Sequence, residues 1–165
     1  MRDDIQIGII GGGAMAEALI AGLTACGTIP ASHINVSEHK AMRCDQLTQK
    51  YAVRAQVGAE AFLPRIAALI LAVKPGVAAA AMRETAPLLR ADALVLSIVA
   101  GLTIEEIEAS YPNHPVVRAM PNTPLAVGAG MSAFACGTHA GVAECELAEL
   151  LLGSAGRTVE VHEGE

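Results

Sequence analysis

Aromatic residues are almost missing from this chain of 165 residues: there is no Trp, and only Phe62, Phe134, Tyr51 and Tyr111 carry rings. A core built here must therefore consist of Ala, Val, Leu and Ile, the composition of a parallel sheet covered on both faces by helices. Charge is also scarce, at 17%, and no block of like sign occurs. With a net charge of −6, the electrostatic footprint of a nucleic-acid binder is absent. Cys26, Cys44, Cys136 and Cys145 form no C-x-x-C pair and match no zinc spacing, so buried free thiols in a reducing compartment are expected. No apolar run approaches 18 residues, and Met1-Arg2-Asp3-Asp4 is not followed by the apolar core of a signal peptide. A soluble cytoplasmic protein without membrane partners is the expectation.

What is present is apolar and rich in glycine. Hydrophobic residues make up 53% of the chain and glycines number sixteen. That is enough to bury one sizeable core, and the length suits one domain. The chain alternates short apolar runs with helical spacing. Strands are predicted over 5–10, 34–36, 53–55, 68–73, 93–99, 116–119, 129–135 and 158–161. Helices are predicted over 15–26, 40–51, 77–89, from 103 to about 110, and 142–152. Gly27-Thr28-Ile29-Pro30 breaks the first helix, and Thr103-Ile104-Glu105-Glu106 has the spacing of a capping box. Pro121-Asn122-Thr123-Pro124 is expected to be irregular because it holds two prolines. Strands and helices alternating at this rhythm make an α/β fold, a doubly wound and mostly parallel sheet of Rossmann type.

The first strand runs into Gly11-Gly12-Gly13-Ala14-Met15-Ala16, which fits the dinucleotide fingerprint Gly11-x-Gly13-x-x-Ala16. Gly11 allows the tight turn, and Gly13 lets backbone approach a pyrophosphate. Ala16 permits close helix–strand packing, while the helix N-terminus offers free N–H groups to the anion. Glycine triplets also occur in ordinary turns, so position at the first strand matters. About 20 residues on, Ser37-Glu38-His39-Lys40 occupies the cofactor-choice position. Glu38 suits a ribose diol and NAD, whereas Ser37, His39 and Lys40 suit a 2′-phosphate and NADP. Lys74-Pro75 and Ala100-Gly101 follow two further strands, at the sheet edge where ligands of such folds bind. Lys74 there suits a ribose hydroxyl or phosphate, and Ala100-Gly101 lets a flat ring lie on backbone. Arg118 and Glu17 stand isolated, and His33, His114, His139 and His162 fall in loops or at the terminus, where solvation is expected. No catalytic constellation and no metal ligand set emerges. Hydride transfer needs neither, only orientation of ring and acceptor.

Four ordered stretches resemble the pyrroline-5-carboxylate reductase family: Gly11 to Leu19, Leu71-Ala72-Val73-Lys74-Pro75, Ser97-Ile98-Val99-Ala100-Gly101, and Val117-Arg118-Ala119-Met120-Pro121-Asn122-Thr123-Pro124, the last continuing to Val127-Gly128-Ala129-Gly130-Met131. The resemblance spans nearly the whole chain. It implies NAD(P)H-dependent reduction of the C=N bond of 1-pyrroline-5-carboxylate to L-proline, the last step of proline synthesis. Gly11, Gly12, Gly13, Ala14 and Met15 would then lie at the pyrophosphate, with Ser37, His39 and Lys40 by the adenosine ribose. Val73, Lys74, Pro75, Ala100 and Gly101 would line the nicotinamide half. Met120, Pro121, Asn122 and Thr123 would sit near the substrate entrance.

The family pattern is departed from at Ala14, Ala59 and Ala68, where polar residues are usual. Losing two cofactor hydrogen bonds of about 1 kcal/mol each weakens binding roughly tenfold to thirtyfold. The family also continues with a helical domain that dimerises and holds the substrate carboxylate. Residues 1–165 are thus expected to be the dinucleotide-binding domain, either as one part of a longer enzyme or as a natural short form, binding NADP (or NAD) but turning over little substrate unaided. A related NADP-dependent imine or ketone reductase, or a non-catalytic NAD(P)-sensing module, are the alternatives.

Overall fold

The computed structural model describes residues 5–122 and 130–163, with the backbone alone at 121, 122, 130 and 131. Strands β1 (Ile7–Ile10), β2 (Ile34–Ser37), β3 (Arg54–Gln56), β4 (Ala68–Leu71), β5 (Leu94–Ser97), β6 (Val116–Asn122), β7 (Gly130–Cys136) and β8 (Gly156–Glu160) form one sheet in the order β3-β2-β1-β4-β5-β6-β7-β8. All pairings are parallel except β6 with β7. This is the expected doubly wound α/β architecture. The chain starts in the middle at β1, winds outward to β3, then crosses back to β4 on the other side. Central strands β1, β4 and β5 are buried at every residue, which is why they read as continuous apolar runs rather than alternating ones.

Helices α1 (Ala14–Cys26), α2 (Ala41–Tyr51), α3 (Pro75–Thr85), α4 (Ile104–Ser110) and α5 (Val142–Gly153) cover the sheet in two layers. One core gathers Leu19, Ile20 and Leu23 of α1, Leu47 of α2 and Leu151 of α5 against Ile7, Ile9 and Val36. The opposite core packs Ala78 and Met82 of α3 and Ile107 of α4 against Leu69, Leu71 and Val95. Each fully buried aliphatic side chain is worth about 1.5–3 kcal/mol of transfer free energy. The few rings are placed where they fill most volume: Phe62, Phe134 and Tyr111 are all fully buried. Phe62 needs its neighbour to be small, because a Cβ on Gly8 in β1 would stand 2.5 Å from its ring.

Helix ends follow local chemistry. The α1 helix stops at Gly27, whose left-handed φ of 67° lets its N–H reach back to the Leu23 and Thr24 carbonyls. The capping box at α4 is formed in full: Glu106 N–H donates to Thr103 Oγ1 at 3.2 Å, and Thr103 N–H to Glu106 Oε1 at 3.0 Å.

Pro121 does not break the strand: β6 runs to Asn122 and pairs with β7 throughout. Its pairing with β5 ends at Arg118, so beyond that point one edge of β6 lacks a ladder partner and tolerates a residue without an N–H. Residues 123–129, Thr123 among them, lie outside the described residues. Cys136 and Cys145 are joined as a disulfide, while Cys26 is free and exposed and Cys44 free and buried. The turn between β7 and α5 brings together two sulfurs that are nine residues apart in sequence. His114 is not solvated. It is buried, with Nδ1 at 3.1 Å from the Ala93 carbonyl and its ring edge-on to Tyr111. Among the described residues no helix is long and apolar enough to cross a membrane.

Candidate functional site

Because β1, β2, β4 and β5 are parallel, their carboxyl ends lie at one sheet edge, and the winding reverses between β1 and β4. A cleft of about 700 Å³ opens there, lined by Gly11, Gly12 and Gly13, by Glu38, His39, Lys40, Met42, Arg43 and Gln46, and by Ala72, Val73, Lys74 and Val77. This is the crevice where doubly wound folds take ligands.

Each glycine answers a different constraint. Gly11 has φ of +105°, and a Cβ on it would stand 2.6 Å from the Ala72 carbonyl oxygen. The β1–α1 turn thus crosses the end of β4 with no room for a side chain, anchored by Gly11 N–H donating to the Ser37 carbonyl at 2.8 Å. A Cβ on Gly12 would crowd the Glu38 side chain at 3.0 Å. Gly13 is different: a Cβ there would meet nothing within 4 Å. No packing contact among the described residues requires glycine at 13, and its bare backbone lies open to the cleft. Gly13 is also the N-cap of α1, and no side chain caps that terminus. Lys74 is likewise an uncapped N-cap, with Pro75 opening α3 behind it. Lys40, the N-cap of α2, is uncapped too, so three helix N-termini at the cleft present positive dipole ends. Lys40, Arg43 and Lys74 add cationic side chains to the same lining, in a chain whose net charge is −6.

Arg43 was not singled out by its sequence context, yet it organises the cleft floor. Its Nε donates to the Gly12 carbonyl at 2.6 Å and its guanidinium pairs with Glu17 at 2.6 Å. Glu17 is not isolated. It also accepts from Lys50 at 3.0 Å and from the Tyr51 hydroxyl at 2.6 Å. Hydrogen bonds from Tyr51, Arg43 and Lys50 lower its pKa to about 2, so it is fully ionised at neutral pH. The cluster ties the first turn of α1 to α2, and thereby holds the glycine turn against the β2 end. Arg118 is not isolated either, since it pairs with Glu163 at 2.8 Å, away from this cleft.

Glu38 is buried at the end of β2, and its carboxylate is already engaged: Lys40 N–H donates to it at 3.3 Å and His39 Nδ1 lies at 3.5 Å. Of the residues singled out in the sequence, Gly11, Gly12, Gly13, His39, Lys40, Val73 and Lys74 share the cleft wall. Ala14, Met15, Ser37 and Pro75 adjoin it in sequence without lining it. Ala100 and Gly101 form an exposed turn after β5, held by Val99 N–H donating to buried Ser97 Oγ at 3.1 Å. Met120 is half-buried on β6, outside the cleft lining. Ala59 is buried in the same core cluster as Phe62 and does not line the cleft. Met42, Gln46 and Val77 line the cleft with no sequence signal beyond their proximity to His39 and Lys74.

The family model described as NADP oxidoreductase, coenzyme F420-dependent, matches residues 6–101. A pyrroline-5-carboxylate reductase of Synechocystis is 39% identical over 96% of the chain and 59% of its own length. The structure of a pyrroline-5-carboxylate reductase from Coxiella burnetii superposes with a TM-score of 0.92 at 28% identity, over 98% of this chain and 60% of that one. A Plasmodium falciparum pyrroline carboxylate reductase with NADP bound superposes with a TM-score of 0.87 at 22% identity, over 99% of this chain and 60% of that one. The chain thus spans about three fifths of the relatives it matches.

Proposed function

Because the chain belongs to the family described as NADP oxidoreductase, coenzyme F420-dependent, we propose that residues 1–165 form the dinucleotide-binding domain of an NADPH-dependent pyrroline-5-carboxylate reductase. In this reading the substrate and dimer contacts come from a further, helical domain. The observation that carries it is Gly13: a glycine with no packing reason, at an uncapped helix N-terminus, opening on a cationic cleft. The donor set fits a dinucleotide pyrophosphate, which needs backbone N–H groups, dipole and close approach rather than a catalytic base.

NADP is the cofactor proposed over NAD, as in the Plasmodium relative's bound ligand. Glu38 has its carboxylate committed to Lys40 N–H and His39, and Arg43 and Lys40 stand beside it. With Arg43 itself bonded to Gly12 and Glu17, that leaves the Lys40 side chain, rather than a free carboxylate, for the ribose end. Bound NADPH supplies a hydride for the C=N carbon of the substrate. The chain's own contribution is orientation. Gly11 to Gly13 hold the pyrophosphate at α1, and Val73 and Lys74 hold the opposite wall. Pro75 removes one backbone N–H that would otherwise need a partner at the α3 start.

Titration calorimetry with NADPH, read beside denaturant unfolding, tests the reading. Gly13→Val is expected to keep wild-type stability within about 1 kcal/mol and to weaken NADPH binding at least about tenfold. Unchanged affinity in a folded Gly13→Val would overturn the site. In the enzyme with its helical domain, turnover of pyrroline-5-carboxylate tests the substrate. NADPH oxidation with another imine or a ketone instead would favour a related reductase, and binding without any turnover a sensing module.

A further inference from the structure

Cys136 and Cys145 belong to no spacing that signals a metal, yet the fold places them together with a carboxylate. Strand β7 ends on Cys136, and the chain turns through Gly137, whose N–H donates to the Val116 carbonyl at 2.7 Å. Helix α5 then starts with Glu144 accepting from Gly141 N–H at 2.8 Å, and Cys145 N–H bonds the Gly141 carbonyl at 3.0 Å. Two backbone anchors thus fix where Cys145 stands relative to Cys136, with Cα atoms 6.5 Å apart. Parallel strand β8 pairs Glu160 with Phe134, two residues before Cys136. Both sulfurs and a Glu160 carboxylate oxygen lie within 4.8 Å of one another. They open into a surface cleft of about 420 Å³ that none of the cofactor-cleft residues lines, and Glu146 and Glu149 complete its acidic wall.

The electrostatics decide between two uses of such a pair. Redox-active cysteines sit in electropositive surroundings that favour the thiolate as a nucleophile. Among the described residues, three carboxylates and no Lys, Arg or His line the cleft. That field opposes two bare thiolates and favours them strongly once a cation joins them. We propose that, once a thiol reductant has converted the disulfide to two thiols and left as its own disulfide, Cys136, Cys145 and Glu160 bind one thiophilic divalent cation of the zinc class, the fourth position being left to water. Two sulfurs and one carboxylate are a donor set zinc accepts, and three negative ligands leave a single excess negative charge on the site. Binding requires each thiol to give up its proton to solvent, so affinity rises with pH. The cation would cross-link β7, α5 and β8 at the far end of the sheet from β3.

The test uses the 165-residue chain, reduced and kept anaerobic, titrated with Co²⁺ as a spectroscopic probe. A thiolate-to-cobalt charge-transfer band saturating at one equivalent, and displaced by Zn²⁺, is expected. Cys136→Ser or Cys145→Ser should remove it, Glu160→Gln should weaken binding about tenfold, and Cys26→Ser should change nothing. A reduced wild-type chain without the band, or a band that survives Cys136→Ser, overturns the proposal. Should the serine variants fail to fold, alkylation of the wild type replaces them. One equivalent of Zn²⁺ must protect Cys136 and Cys145 while exposed Cys26 still reacts, and equal labelling of all three refutes the site.

Discussion

Glu17 carries one carboxylate with three donors and stands only 22% exposed, so its ionised form is an integral part of the α1–α2 junction. Its pKa is lowered from 4.5 to about 2, chiefly by Tyr51 and then by Arg43 and Lys50. A depressed carboxylate pKa stabilises the fold above the unfolded-state value. That contribution is lost as pH falls from about 4.5 through about 2. Glu17→Gln should therefore cost about 1–2 kcal/mol at pH 7, after allowance for solvent screening. Most of that cost should be gone by pH 2, as read from denaturant midpoints at the two pH values. The residue's sequence context hid this entirely, because its partners are 26 to 34 positions away. The glycines were legible by contrast, since a strand, three glycines and a helix in succession state a local conformational need. Which glycine serves packing and which serves access was not legible. That distinction rests on Ala72, just past the end of β4, lying against Gly11, and on no described residue lying against Gly13.

At the scale of elements, local signals worked where both partners are local. The α4 capping box needs only Thr103 and Glu106, and the structure forms both of its hydrogen bonds. Thr103→Ala should lower stability by about 1 kcal/mol, measurable as a shifted urea midpoint with an unchanged slope. Tyr111 just beyond α4 shows the other case. Its hydroxyl meets Thr85 Oγ1 of α3 at 2.6 Å, and burial pushes its pKa up to about 12, an environment no spacing announces. Pro121 misled because a proline rule assumes ladder partners on both edges, and β6 has lost one of them by that residue. Strand ends differed from expectation by one to three residues for a related reason. Where an apolar run stops and where the last ladder bond forms are separate physical events.

For the whole molecule, the consequence of the winding is a cleft at the β1–β4 crossover that gathers three uncapped helix N-termini and three cations in an otherwise acidic chain. A ligand that binds this cleft only in the folded state must stabilise the entire sheet. NADPH at 100 times its dissociation constant should add about 2.7 kcal/mol, raising the melting temperature by roughly 5–10 °C for a chain of this size. Differential scanning calorimetry with and without the nucleotide measures it, and an unmoved transition at that concentration would contradict the assigned cleft. The sequence by itself determined the fold class, the order of strands and helices, the glycine turn and its family resemblance. All of these are written in contiguous residues whose periodicity and backbone demands are local. Only the tertiary structure decided that Arg43, Glu17 and Tyr51 converge beneath the glycines, that Glu38 is already occupied, and that Cys136, Cys145 and Glu160 meet. Each of these joins side chains from separate elements, and sheet order, not sequence distance, sets how close they come.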